Sequence, residues 1–207
     1  PDRVGGGGGG RDGGVVAARG RGGGAVRAAL SAGVTDRSGN MASGFAVIAG
    51  ATGRTGGAEV GLDGFDQYLA GAKAEGAEAA LPTTDFLFFD GWIEGGNGVI
   101  RPYGKGALFT ALGEELGMTS AWTDEINEAY GSGGVDPAYG LAQTDIEGLT
   151  AVGDANLFYS DDATPDSYVT ELDKSAIWTS LPAVAEGRAH AFPAGGWGAG
   201  GPLSNQQ

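Results

Sequence analysis

The chain has 207 residues, a formal net charge of −14 and no cysteine. This length suits one ordinary domain or two small ones, and a hydrophobic content of 41% is enough to form a packed core. The missing cysteine excludes disulfides, thiolate metal sites and cysteine nucleophiles. Residues 61–207 hold five basic and 22 acidic residues, a balance that disfavours binding to nucleic acid or to anionic lipid.

Residues 1–44 form a low-complexity segment that is rich in glycine, arginine and alanine and contains no aromatic residue. Glycine loses more backbone entropy on folding than any other residue, and this segment has little apolar surface to offset that cost. We therefore predict a disordered or loosely structured segment. An RNA-binding tail of the RGG type is a weaker alternative, because the usual aromatic partners are missing.

Residues 45–80 have a different pattern, which predicts a helical region. The apolar run at 45–49 is compatible with either a helix or a strand. From Val60 to Ala79, apolar residues recur at helical spacing, although four glycines weaken the pattern.

After Pro82, short strands and short helices alternate, which is typical of an α/β fold with a mostly parallel sheet. The apolar run Phe86–Phe89 predicts a buried strand that ends at Asp90-Gly91. Further predicted strands are 156–159 and 188–192, and the predicted helices are 104–116, 166–172 and 177–181. Thr144 and Glu147 have the spacing of a capping box at the head of another short helix.

An ordered series of motifs resembles the iron–siderophore substrate-binding proteins of ABC importers. The series covers residues 81–207 well and the preceding helix loosely. Its members are Phe88-Phe89-Asp90-Gly91-Trp92, Ile100-Arg101-Pro102-Tyr103, Leu112–Gly117, Tyr139–Leu149, Ile177–Val184 and Gly200–Ser204. Each motif alone is weak, and the specificity lies in their order.

The resemblance implies two α/β lobes joined by a long helix, with the ligand held in the cleft between them. Residues 45–80 would then be the connecting helical region, and residues 81–207 the C-terminal lobe, a three-layer unit. The family has a first lobe before this helix and a last helix after the Gly-Gly-Pro segment. Residues 1–44 do not resemble that first lobe, so we expect the chain to be a fragment of such a protein, truncated at its last helix.

By resemblance, the function is capture of a ferric siderophore and its delivery to an ABC permease in the membrane. Alternatives are a related haem- or cobalamin-binding protein, a fragment that binds nothing, and a glycine-rich interaction protein. An enzyme is disfavoured because the sequence has a single histidine and no Gly-x-Ser-x-Gly nucleophile elbow. The resemblance also implies an extracytoplasmic, monomeric protein whose signal peptide is not part of this sequence.

Five residues are candidates for contact with the ligand. A siderophore surrounds Fe³⁺ with oxygen atoms, which suits the planar donors of Arg101, while Tyr103 adds an aromatic face and a hydroxyl. Lys105 is a weaker helper. Trp92 and Trp197 stand in glycine-rich stretches, where aromatic rings fit a binding surface or cap a core. The other two tryptophans, Trp122 and Trp178, are predicted to be core residues.

Glu147 has two compatible interpretations. It is the third helical residue of the predicted capping box, and by resemblance it occupies the place of an acidic residue that pairs with arginines of the permease. Asp145 is the substitute for the second role. Both interpretations require an exposed carboxylate near a helix N-terminus.

No metal ligand or directly bound cofactor is expected, since Fe³⁺ would enter only within its siderophore. His190 lies in a predicted strand, where a structural histidine is more common than an iron ligand. Asp161 and Asp162 follow a predicted strand and precede Pro165. Adjacent acids at such a place favour a solvated turn over catalytic carboxylates or a calcium site.

Overall fold

A computed structural model describes residues 37–131, 133 and 140–192. The five strands are β1 (Asp85–Glu94), β2 (Asn97–Pro102), β3 (Thr119–Ser120), β4 (Asn156–Ser160) and β5 (Ala189–Phe192). The α-helices are α1 (Arg37–Thr52), α2 (Thr55–Glu78), α3 (Leu108–Glu115), α4 (Asp124–Tyr130), α5 (Val169–Leu172), α6 (Ala176–Ser180) and α7 (Pro182–Ala185), and Ile146–Val152 forms a 3₁₀ helix. No described helix is both long enough and apolar enough to cross a membrane.

The strands form one sheet in the order β2-β1-β4-β5, and β3 pairs with the start of β1. The pairings of β1 with β3, β1 with β4 and β4 with β5 are parallel, whereas β1 and β2 form an antiparallel hairpin. Phe86 pairs with Ser120 on one side and Asn156 on the other, so β3 extends the edge that β2 occupies. The predicted α/β class with a mostly parallel sheet is therefore confirmed.

Alternate residues of the strands point to two differently covered faces of the sheet. On one face, Leu87, Phe89 and Leu157 join the main core cluster with residues of the 3₁₀ helix and of α5, α6 and α7. On the other face, Phe86 lies against Gly113 of α3, and Phe88 packs against Phe109 of the same helix. Helices thus cover both faces, as a three-layer lobe requires.

Two helices precede the sheet and pack against each other. The run at 45–49 lies in α1, so its helical alternative is the one observed. The structure also shows residues 37–44 as the first half of α1, where we had predicted disordered or loosely structured chain. The helix predicted from Val60 onward corresponds to α2, which buries Phe65. Gly53, at a φ of +69°, separates the two helices.

Strand β1 is longer than predicted. It does not end at Asp90 but continues to Glu94, because its second half pairs with β2 across the Gly95-Gly96 turn. Trp92, which we had placed in a loop, consequently lies within the strand opposite Val99. A charged residue inside the strand is tolerated because Arg101 stands directly across from Asp90.

Shorter elements differ in detail from their predictions. The helix predicted over 166–172 is observed only as α5, and Pro182 opens α7 in addition to ending the helical turn before it. Pro tolerates this place because the first helical N–H has no partner within the helix. The helix predicted over 104–116 is observed over its later part only, as α3, and Gly117 follows with a φ of +94°.

The predicted capping box is wrong. The residue that caps the 3₁₀ helix is Asp145, whose carboxylate accepts a hydrogen bond from the backbone N–H of Gly148. The backbone N–H of Thr144 instead donates to the carbonyl of Ile100 at 2.9 Å. The backbone N–H of Thr144 is therefore not available as a donor to the Glu147 carboxylate.

Two glycine-to-alanine substitutions in helices should change stability in opposite directions. A Cβ at Gly113 would lie 2.2 Å from the ring of Phe86, whereas a Cβ at Gly76 of α2 would meet nothing within 4 Å. We expect Gly113→Ala to lower the free energy of unfolding by about 1–3 kcal/mol through overpacking. Gly76→Ala should raise it by about 0.5–1 kcal/mol. Urea unfolding followed by circular dichroism measures both, and equal effects of the same sign would contradict the packing of α3 on β1.

Candidate functional site

The candidate site lies on the β1–β2 hairpin, on the sheet face that α3 partly covers. The antiparallel register places Asp90 opposite Arg101 and Trp92 opposite Val99. Tyr103 follows the last residue of β2, and its backbone N–H donates to the carbonyl of Phe88 at 2.9 Å. Since side chains alternate between faces along a strand, these residues share one face of the hairpin.

A carboxylate holds the two predicted ligand-binding donors together. Nε and Nη2 of Arg101 donate to the two carboxylate oxygens of Asp90, at 2.7 and 2.5 Å. The hydroxyl of Tyr103 donates to Oδ2 of the same carboxylate at 3.0 Å. Such forked, charge-assisted hydrogen bonds fix the plane of the guanidinium as well as its position.

Aromatic rings surround this polar group. The guanidinium carbon of Arg101 lies 5.6 Å from the centre of the Trp92 ring, within the range of a cation–π contact. Tyr103 meets Phe88 edge to face at 4.9 Å, and Phe88 in turn contacts Phe109 at 4.2 Å. Phe192, at the carboxyl end of β5, contacts both Phe88 and Phe109. The site thus combines fixed donors with an apolar, partly covered surface.

Both donors stay protonated at neutral pH. The hydrogen bonds that Arg101 donates to Asp90 raise the pKa of Arg101 above its ordinary value, against the opposing effect of burial. Burial raises the pKa of Tyr103 far above that of a free phenol, and the negative charge of Asp90 adds to the effect. The hydroxyl of Tyr103 is therefore a neutral donor, and Arg101 is a permanent cation with 38% of its side chain exposed.

The structure brings three of the five predicted ligand-binding residues together: Arg101, Tyr103 and Trp92. Lys105 follows them in the turn before α3, where it is exposed. Trp197 lies outside the described residues. Whether any of these residues contacts a ligand stays a prediction.

The predicted docking residues lie at a separate place, beyond the outer edge of β2, to which the backbone of Ala142 and Thr144 is hydrogen-bonded. Glu147 and Asp145 border an open depression of about 450 Å³, together with the tip of the β1–β2 hairpin and the end of α4. Both side chains belong to exposed residues. Asp145 also accepts the capping hydrogen bond, which leaves Glu147 as the more available carboxylate.

The residues predicted to be structural are found in structural roles. Trp122 and Trp178 are 2% and 3% exposed. His190 lies in β5, with its ring stacked at 5.6 Å on that of Phe158. Asp161 and Asp162 accept hydrogen bonds from backbone N–H groups two residues on, as in a solvated turn.

Sequence reasoning missed Asp90 as a member of the site. The signal was present in the turn Gly95-Gly96, which joins two runs of strand-forming residues. Recognition of this hairpin would have predicted opposite charges facing each other across the strands. We had instead treated Asp90-Gly91 as the end of the strand.

This arrangement has the chemical properties of a ligand-binding surface. The Asp90–Arg101–Tyr103 group provides donors for anionic or neutral oxygen atoms, and Trp92 provides a flat apolar surface. Within the described parts of the chain, no three side chains of the metal-binding types lie close enough together to hold a metal ion.

Solved structures with a similar fold include siderophore-binding proteins. The siderophore-binding protein FhuD from Vibrio cholerae, bound to Fe³⁺–Desferal, superposes with a TM-score of 0.62 and 19% sequence identity, covering 83% of this chain. FeuA from Bacillus subtilis, complexed with ferri-bacillibactin, gives 0.59 and 21% over 83% of this chain. SirA from Staphylococcus aureus gives 0.57 and 19% over 77% of this chain.

No protein-family model matches the sequence, and no curated protein is significantly similar to it. The chain spans less than three fifths of the length of those three solved structures, which it covers to 58%, 57% and 58%. Their identities are low, so the likeness establishes the fold. The chain has the fold of siderophore-binding periplasmic proteins, in agreement with the resemblance found in its motifs.

Proposed function

We propose that this chain is part of an extracytoplasmic solute-binding protein that captures a ferric siderophore and delivers it to an ABC permease. The observation that carries the proposal is the group formed by Arg101, Tyr103, Asp90 and Trp92 near the carboxyl ends of the parallel strands. Open α/β sheets bind their ligands at that edge. The similar proteins FhuD and FeuA hold ferric siderophores in their solved structures.

The chemistry of the site suits such a ligand. A siderophore presents oxygen atoms and the apolar backbone of its chelating arms. Arg101 and Tyr103 supply donors for the oxygen atoms, and Trp92 supplies a ring for the apolar parts. Because the siderophore already fills the coordination sphere of iron, the protein needs no metal ligand and no resident cofactor. The role is binding without catalysis, in a cleft between two lobes, and we expect a monomer.

Permease docking is assigned to the depression beyond β2. Glu147 and Asp145, two positions apart in the sequence, present two carboxylates on an exposed surface. Carboxylates at the start of a helical turn are suited to pair with arginine side chains of a membrane partner. The docking surface and the ligand site are separate, so a protein can hold its ligand while it contacts the permease.

A titration of tryptophan fluorescence tests the proposed function. The chain is titrated with Fe³⁺–Desferal and ferri-bacillibactin, and iron-free Desferal is the control. We expect saturable quenching with at least one ferric complex and a much weaker response to the iron-free form. Saturable binding of haem or cobalamin alone would favour those ligands instead. A folded protein that responds to none of these compounds would overturn the proposal.

A further inference from the structure

The positive charge of Arg101 is already neutralised within the protein. Its Nε and Nη2 both donate to Asp90, whose side chain is only 17% exposed. An ion pair of this geometry presents little net charge to a ligand, even though it still offers a hydrogen-bond donor.

The described residues near this pair supply little further positive charge. Asp161 and Asp162 follow the carboxyl end of β4, and Lys105 in the turn after β2 is the nearest further cation along the chain. Burial raises the pKa of Tyr168, and the negative charges of both Asp90 and Asp161 contribute to that rise. Of the described cations near the site, Arg101 is paired with Asp90, which leaves the exposed Lys105 in the adjoining turn.

The net charge of a ferric siderophore depends on its chelating groups. Three catecholates, each a dianion, leave the Fe³⁺ complex with three negative charges. Three hydroxamates, each a monoanion, leave it neutral, and an additional ammonium group makes it cationic. A trianionic ligand needs several uncompensated cations to offset its desolvation, whereas a neutral one needs only hydrogen bonds and apolar surface.

We propose that this site selects ferric complexes without net negative charge, of the trihydroxamate class, and that Asp90 is the residue that sets this selectivity. The inference rests on the proposed function of the site. It goes beyond the fold, because proteins with this fold hold both classes: FhuD carries Fe³⁺–Desferal and FeuA carries ferri-bacillibactin. The distinction comes from the carboxylate opposite Arg101.

The ratio of two dissociation constants tests the inference. Binding of Fe³⁺–Desferal, a trihydroxamate, and of ferri-bacillibactin, a triscatecholate, is measured for the wild type and for Asp90→Asn. Asparagine keeps the shape of the side chain and removes its charge. The matched control is Asp85→Asn, at the other end of β1. It makes the same charge change about 16 Å away along the strand, beyond the screening length of about 8 Å at physiological salt.

We expect the wild type and Asp85→Asn to bind Fe³⁺–Desferal more tightly than ferri-bacillibactin. In Asp90→Asn, the affinity for ferri-bacillibactin relative to that for Fe³⁺–Desferal should rise by at least about tenfold. A general loss of structure would weaken both ligands together and leave the ratio unchanged. An unchanged ratio in Asp90→Asn that is folded by circular dichroism and still binds Fe³⁺–Desferal, or a wild type that prefers ferri-bacillibactin, overturns the inference but leaves the proposed function standing. Binding of neither complex overturns both.

Discussion

Replacement of Trp178 by alanine is expected to lower the free energy of unfolding by about 3–5 kcal/mol. The side chain is 3% exposed and meets Phe89 and Tyr159 edge to face, with ring centres 6.1 and 5.6 Å apart. Its removal leaves a cavity between α6 and the sheet that rigid neighbours cannot fill. Urea unfolding followed by far-ultraviolet circular dichroism measures the loss without relying on tryptophan fluorescence.

The control for this substitution is Thr179→Ala, on the exposed side of the same helix. A surface change of this kind should alter the free energy of unfolding by less than about 0.5 kcal/mol. If Trp178→Ala cost no more than Thr179→Ala, the packing of α6 on the sheet would be wrong. The core cluster would then have to be assigned again.

Arg101→Ala should weaken binding of the ferric ligand about 10- to 100-fold, the loss expected for hydrogen bonds to a charged donor. The substitution should change the free energy of unfolding by less than about 1 kcal/mol, because the ion pair with Asp90 is partly exposed. Arg101→Lys should give an intermediate affinity, since lysine keeps the charge but lacks the planar fork. Fluorescence titration and urea unfolding of the same preparations separate the two effects.

Lys174→Ala is the matched control for Arg101→Ala. Lys174, between α5 and α6, pairs with Glu171 at 2.8 Å in an exposed ion pair. Its replacement removes one positive charge and one ion-pair partner, as Arg101→Ala does. We expect no change in affinity. Equal losses in the two variants would mean that binding responds to overall charge rather than to the site.

Much of the fold could be predicted because apolar runs report burial directly. Phe86–Phe89 is a strand in the structure, as its continuous hydrophobicity indicated, and Trp122 and Trp178 are core residues. The motif order also led to the right fold. These features depend on residues that are neighbours in sequence or that fill a core, where residue type alone carries the signal.

The features that could not be predicted depend on pairing across the chain. Strand β1 continues beyond Asp90 only because β2 pairs with it, and local hydrophobicity does not show this. Asp145 rather than Thr144 caps the 3₁₀ helix, because the backbone of Thr144 is hydrogen-bonded to Ile100, 44 positions earlier in the sequence. Asp90 became visible as a site residue only when the register placed it against Arg101.

The location of the iron atom tests the proposed site most directly. Crystals of the protein grown with Fe³⁺–Desferal can be measured at the iron absorption edge, and an anomalous difference map then shows the iron position independently of the bound organic groups. We predict one strong peak beside Arg101, Tyr103 and Trp92, on the sheet face that α3 partly covers. A peak in the depression near Glu147, or bound ligand with no contact to the β1–β2 hairpin, would contradict the proposed site.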